Sequence, residues 1–172
     1  MTAVDTLIAN LKQYRGSADS GPVVADVDLL VAALQAIPQS ITVALTANQL
    51  NHLLSAPPEI LPSPGPRKFN VVMSVAISYT FGGVAFVFPG SVDLQYTDRF
   101  GPGLGMDIKT GISGQGSSQI IYDTPDANNG NVITDTINVE NSPIVMAASG
   151  GDAAPPGNGS AKVTLTYLTL DV

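Results

Sequence analysis

The chain has 172 residues, a formal net charge of −7 and no cysteine, so it can build one domain with a real core but no disulfide or thiolate metal site. Its seven basic residues are scattered, with Arg67-Lys68 the one adjacent pair, and offer no basic stripe for a phosphate backbone; no nucleic acid is expected as a partner. Only 12% of residues are charged, so the polar surface comes from Ser, Thr, Asn, Gln and Gly, which are cheap to desolvate against other protein.

Met1-Thr-Ala-Val-Asp5 has neither a basic stretch nor a long apolar stretch, so it does not read as a signal peptide. No apolar run approaches the roughly 20 residues that span a bilayer, and no membrane is expected as a partner. Val4, Leu7, Ile8 and Leu11 share one helical face behind Thr2 as N-cap. Gly16 to Pro22 forms a hinge, and Val27, Leu30, Val31 and Leu34 mark a second helix that Pro38 stops. Helices this short need a partner to be stable.

Ile41–Leu45 reads as a strand, followed by a helix from Ala47 to Leu54 capped by Thr46. Pro57-Pro58 ends that helix. Pro62, Pro64 and Pro66 then fix an extended connector suited to a sheet edge. From Phe69 the period changes to two. Phe69, Val71, Met73, Val75, Ile77, Tyr79 and Phe81 define one apolar face. Gly82-Gly83 predicts a hairpin into a strand from Val84 to Phe88. Further strands are predicted around Val92–Tyr96, Ser118–Tyr122, Val132–Val139, Ile144–Ala148 and Ala161–Leu170, with flexible turns at Asn129-Gly130 and Asn158-Gly159. The predicted fold is mainly β. It is an antiparallel β-sandwich or jelly-roll-like domain over 41–172 with a short helical N-terminal arm over 1–40.

No reaction centre emerges from the residue types. His52 is the single histidine and sits in the short helix, where a surface or packing role is expected. Asp123, Asp126 and the Asn residues to Asn131 offer clustered oxygens for calcium, but the loop lacks EF-hand spacing, and Asx residues favour turns anyway. Asp93, Asp98 and Asp107 are candidates for paired carboxylates, and read better as solvated charges. Gly101-Pro-Gly-Leu-Gly105 lacks the Lys-Ser/Thr of a phosphate cradle and reads as a flexible loop. Tyr79, Phe81, Phe86, Phe88, Tyr96, Tyr122 and Tyr167 are expected in the core rather than on a sugar platform. No catalytic, cofactor or metal site is assigned, and no cofactor is expected.

Three segments resemble a group of tailed-bacteriophage virion surface proteins. They are Leu45-Thr-Ala-x-Gln-Leu-x-x-Leu-Leu54, then Pro57 with Glu59-Ile-Leu-Pro-x-Pro-Gly65 and Lys68, and finally Gly159-x-Ala-Lys162-Val-x-Leu-x-Tyr167. Pro66-Arg67 stand where small residues are expected in that group. The resemblance covers residues 45–172. It implies a non-enzymatic β-sandwich that decorates (cements) the capsid surface, made in the host cytoplasm, with the major capsid protein and itself, as a homotrimer, for partners. Residues 1–40 would then reach a neighbouring subunit. A tail- or fibre-associated adaptor contacting host glycans is the alternative implication.

Overall fold

The computed structural model describes residues 37–106, 108–125 and 139–172, with Ala9, Asn10, Gln13 and Leu30 from the preceding segment. The helical arm expected over 1–40, the loop from Asp126 to Asn131 and the strand expected over 132–139 thus lie outside the described residues, apart from 37–40 and Val139. In chain order the strands are β1 (Gln39–Leu45), β2 (Glu59–Leu61), β3 (Lys68–Thr80), β4 (Val92–Tyr96), β5 (Gln119–Asp123), β6 (Ile144–Ala148) and β7 (Ser160–Asp171). β1 begins two residues before the boundary expected at 40/41.

The strands form two antiparallel sheets, ordered β1-β7-β3-β5 and β2-β6-β4. Odd strands build the first and even strands the second, so every connection between described strands crosses from one sheet to the other. Val75, Ile77, Val163 and Leu165 from the first sheet meet Leu94, Ile144 and Met146 from the second in one core. This is the mainly β, sandwich-type architecture that the period-two runs predict. β6 is buried along its whole length, which explains an apolar run without alternation. The Pro-rich connector carries no strand between β2 and β3 and turns at Pro66-Arg67, with positive φ at Gly65 and Arg67, while β2 just before it lies at a sheet edge with an irregular register against β6.

Between β1 and β2 stands α1 (Ala47–Asn51), shorter than the expected span to Leu54. Its capping box is complete. The Gln49 N–H donates to Thr46 Oγ1 at 3.3 Å, and the Thr46 N–H donates to Gln49 Oε1 at 3.0 Å. So short a helix is held by its anchors, Leu50 and Leu53, both fully buried.

The apolar face expected along β3 changes side partway. β3 pairs with β7 over twelve residue pairs from Lys68↔Asp171 to Thr80↔Ser160, and the register shifts between Val72 and Ser74. The extra residue, Met73, is 44% exposed. Beyond it Val75, Ile77 and Tyr79 point inward; before it the inward residues are Val72 and Asn70. Asn70 is 1% exposed, and both ends of its amide are bonded. Its amide donates to the Pro62 carbonyl at 3.3 Å, its Oδ1 accepts from Thr169 Oγ1 at 2.8 Å, and its backbone carbonyl accepts from the Tyr96 hydroxyl at 2.6 Å. One residue thus ties β3, β7, β4 and the connector together.

Three expectations are corrected. Gly82-Gly83 makes no hairpin and Val84–Phe88 is not a strand; it has a single parallel bridge, Phe86↔Ser113. Its backbone groups go to two loops instead. Phe86 O accepts from Gly114 N–H at 2.7 Å, Val87 O from Ala154 N–H at 2.8 Å, and Val84 N–H donates to Asn158 Oδ1 at 2.8 Å. Asn158-Gly159 is therefore a fastened junction rather than a free turn. A side chain on Gly159 would strike the Thr80 carbonyl and the Tyr79 ring. Likewise Gly101–Gly105 runs along β4, with Tyr96 N–H donating to Pro102 O at 3.0 Å and Leu104 N–H to Leu94 O at 2.9 Å.

Two buried tyrosines give opposite predictions. Burial pushes the Tyr96 phenol up to about 12 and that of Tyr79 upward as well. Tyr96 has its acceptor, whereas the Tyr79 hydroxyl has no partner among the described residues. Tyr96→Phe is expected to cost about 1–2 kcal/mol and Tyr79→Phe about 0 kcal/mol or less, read from urea unfolding midpoints.

Candidate functional site

Among the described residues the candidate chemistry is not brought together. His52 is exposed just past α1, with Nδ1 2.8 Å from the Asn48 carbonyl one turn back. Asp93 lies on β4, Asp98 is committed to a turn, and Asp107 lies outside the described residues. Of the proposed calcium loop only Asp123–Pro125 is described, and Asp123 Oδ1 accepts from the Thr124 N–H at 2.8 Å. No group of three or more His, Asp or Glu gathers as a metal cage among the described residues. Tyr79, Phe86, Phe88, Tyr96 and Tyr167 are buried, with Phe86 edge-on to Tyr79 and stacked on Phe88. Phe81 is half-buried, and Tyr122 departs from the expectation by lying exposed.

Two surface features remain, and both suit contact rather than chemistry. The first is the turn after β4. Gly101 N–H donates to Asp98 O at 3.1 Å, which places Arg99 and Phe100 at the two central turn positions. Phe100 is 80% exposed, and the Arg99 guanidinium lies 4.5 Å from its ring centroid. The turn is braced from every side. Asp98 Oδ1 accepts from Phe100 N–H at 2.7 Å; Gln95, with its amide nitrogen facing the turn, donates to the Arg99 carbonyl at 2.8 Å. Thr97 holds φ at 68°, costly for a β-branched residue, fixed by its N–H on Pro143 O at 2.9 Å. A side chain at Gly101 would collide with the Tyr96 carbonyl.

Arg99 also donates to the Leu54 carbonyl at 3.0 Å, which joins the turn to the segment that follows α1. That segment is clamped in turn by the loop before β7. Asp152 Oδ1 accepts from the Leu54 and Ser55 N–H groups at 2.9 and 3.0 Å, and Oδ2 accepts from the Ser55 hydroxyl at 2.6 Å. Asn51 and Gly157 exchange two bonds, amide to carbonyl at 2.9 Å and N–H to Oδ1 at 2.8 Å. The sequence reading passes over Arg99, Phe100 and Asp152. The Asp98-x-x-Gly101 spacing carried the signal, since it is the start and end of a type I turn.

The second feature is the outer face of the four-stranded sheet. Strand register aligns Ala44, Lys162, Ser78 and Ile120 in one row across it, and Thr42, Thr164, Ala76 and Tyr122 in the next. Ile120 is 79% and Tyr122 69% exposed. Lys162 is the one charge in the two rows, and the Thr42 and Thr164 hydroxyls bond each other at 2.9 Å.

The residues that carry the phage resemblance have structural work of their own. Thr46 and Gln49 close the capping box, Leu45, Leu50 and Leu53 are core, and Gly65 takes φ 102°. Comparison with family models, curated proteins and solved structures finds no match to this chain.

Asp152 makes the clamp pH-sensitive. Burial alone would push its carboxyl up, but the bonds from Ser55 and Leu54 and the nearby His52 outweigh it and hold the group below its ordinary range. A lowered folded-state value means the stabilisation is present above the unfolded carboxylate range and is lost as pH falls through the folded value. Asp152→Asn is therefore expected to lower the urea midpoint at neutral pH and to flatten its decline on acidification. Parallel curves for wild type and variant between pH 7 and pH 2 would refute the clamp.

Proposed function

We propose that the chain is a structural assembly protein that seats on the outside of a protein shell, the capsid-decoration role that the phage resemblance implies. The Arg99–Phe100 turn carries this reading. An exposed aromatic ring under a guanidinium, on a braced and strained turn, matches the composition and preorganisation of interface hot spots. The partner it suits is a protein surface with an apolar pocket for Phe100 and a carboxylate for Arg99. In this reading that surface belongs to the major capsid protein. The low charge of the chain supports the same idea, because little has to be desolvated when such a surface is covered.

A tail- or fibre-associated adaptor that contacts host glycans is the second reading. The exposed rings of Phe100 and Tyr122 favour it, since sugars stack on aromatic faces.

Co-sedimentation with phage heads stripped of decoration protein separates the two. Phe100→Ala should weaken head binding by about 30-fold, the size of a 2 kcal/mol hot spot, with an unchanged urea midpoint. Undiminished binding of that variant would remove the turn from the interface. Saturable glycan binding without head affinity would establish the adaptor instead.

A further inference from the structure

We infer that β1 is the site where a second copy of this chain adds, strand to strand and antiparallel, about a two-fold axis through Thr42, so that the two four-stranded sheets join into one. The inference stands on the sheet edge alone and does not depend on shell binding. The backbone of β1 bonds to β7 on one side; on the other, among the described residues, no strand or loop receives its groups. Such an edge is a template for a further strand, and folds normally blunt it with charge, proline, irregular register or a covering segment. The other margins show these devices. β4 is covered by the chain that follows it, through Tyr96 N–H to Pro102 O at 3.0 Å, Leu104 N–H to Leu94 O at 2.9 Å and Ile108 N–H to Val92 O at 3.3 Å. β2 is three residues long, begins on Glu59, shifts register and lies between Pro58 and Pro62. β5 ends on the charge of Asp123. β1 has none of them: Gln39-Ser-Ile-Thr-Val-Ala-Leu45 carries no charge, proline or glycine and keeps an unbroken seven-residue register with β7.

The strand that fits this edge is its own copy. Thr42 is the middle residue of β1, so a two-fold there overlaps the whole strand. It sets Thr42 against Thr42, Ile41 against Val43, Ser40 against Ala44 and Gln39 against Leu45. Opposed residues then share parity, so outward N–H and C=O groups meet whichever set points outward. Ile41 and Val43 pack against the core yet stay half-buried, and each would cover the other as a β-branched cross-strand pair. Ser40, Thr42 and Ala44, on the exposed side, have no bulk to hold the backbones apart. Self-pairing brings a strand's charges near their own kind, and β1 has none. Lys162, beside Ala44 on β7, keeps its place on the open face, and strand spacing and rise put it ~20 Å from its mate, beyond the screening length.

The test uses the full chain, which has no native cysteine. Thr42→Cys, Ser40→Cys and Ala44→Cys are made separately and mildly oxidised. Facing Cα atoms of an antiparallel pair stand ~4.5–5.5 Å apart, within disulfide reach, so Thr42→Cys should link to itself. Ser40→Cys would lie ~14 Å from its mate along the strand and should link only when mixed with Ala44→Cys, giving a pair with one chain of each, identified by mass. Sedimentation should show a dimer that Thr42→Lys and Thr42→Glu each weaken about 10-fold, because like charges then face each other on the axis, and that a mixture of the two restores. Urea midpoints check the fold of every variant. Four results would overturn the inference: a monomer up to about 0.1 mM, a trimer, Thr42→Lys pairing as tightly as wild type, or Ser40→Cys linking to itself as readily as Thr42→Cys. Dimerisation without head binding would leave this inference standing and remove only the shell reading.

Discussion

The β3–β7 ladder organises the molecule, and the bulge at Met73 decides what it can hold. Twelve pairs lock the two longest strands together, and β1 and β5 attach to their outer edges. With an unbroken register, Val71 and Met73 would face the core and Asn70 would face water. The inserted residue reverses this for one end of the strand. A buried amide is costly unless it is bonded, and here the Pro62 carbonyl of the connector takes its N–H and Thr169 of β7 donates to its Oδ1, while Tyr96 bonds the backbone carbonyl of the same residue. The bulge therefore carries a polar cross-tie between the sheets at one end, while the other end of β3 packs Tyr79 against Phe86.

Much of this was legible in the residues. The period-two runs locate β1, β3, β4, β5 and β7, a short apolar run locates β6, and the Thr46-x-x-Gln49 spacing locates the cap of α1. What was hidden has specific causes. Val71 and Val72 are both apolar, so either parity reads as a core face and a one-residue slip leaves no trace. Val84–Phe88 has the composition of a strand, but its hydrogen-bond partners are loops distant in sequence, which periodicity cannot report. Gly101–Gly105 looked free because glycine signals permissiveness; here it permits close approach to β4. Of the surface features, the turn at Asp98–Gly101 was readable from spacing. The rows on the sheet face were not, since they depend on register across four strands.

The two surface features occupy different parts of the body and place different demands on it. The Arg99–Phe100 turn gains its rigidity from contacts with α1, β4 and the segment before β6, so it presents a fixed shape. The sheet face carries small side chains on its middle strands apart from Lys162. The acid-sensitive Asp152 fastens the segment after α1 against which Arg99 leans, so a loosened clamp would reach the turn before it reached the sheet.

The odd–even threading of the strands also constrains how the chain is born. β1 and β3 are the first two strands of their sheet along the chain yet never pair with each other; β7 lies between them. As the chain leaves a ribosome, those two strands are complete long before the strand that joins them. The first sheet waits for β7, and the second sheet waits for β6 to unite β2 with β4. Among the described strands consecutive ones belong to opposite sheets, so none of them forms a hairpin with the next. Acquisition of structure is thus late, dominated by distant contacts and slow for a chain of this length. Until then the segments with the greatest tendency to form strands, β3 above all, are exposed to one another on neighbouring nascent chains. A fold threaded in this way favours a cell that can shelter it during synthesis.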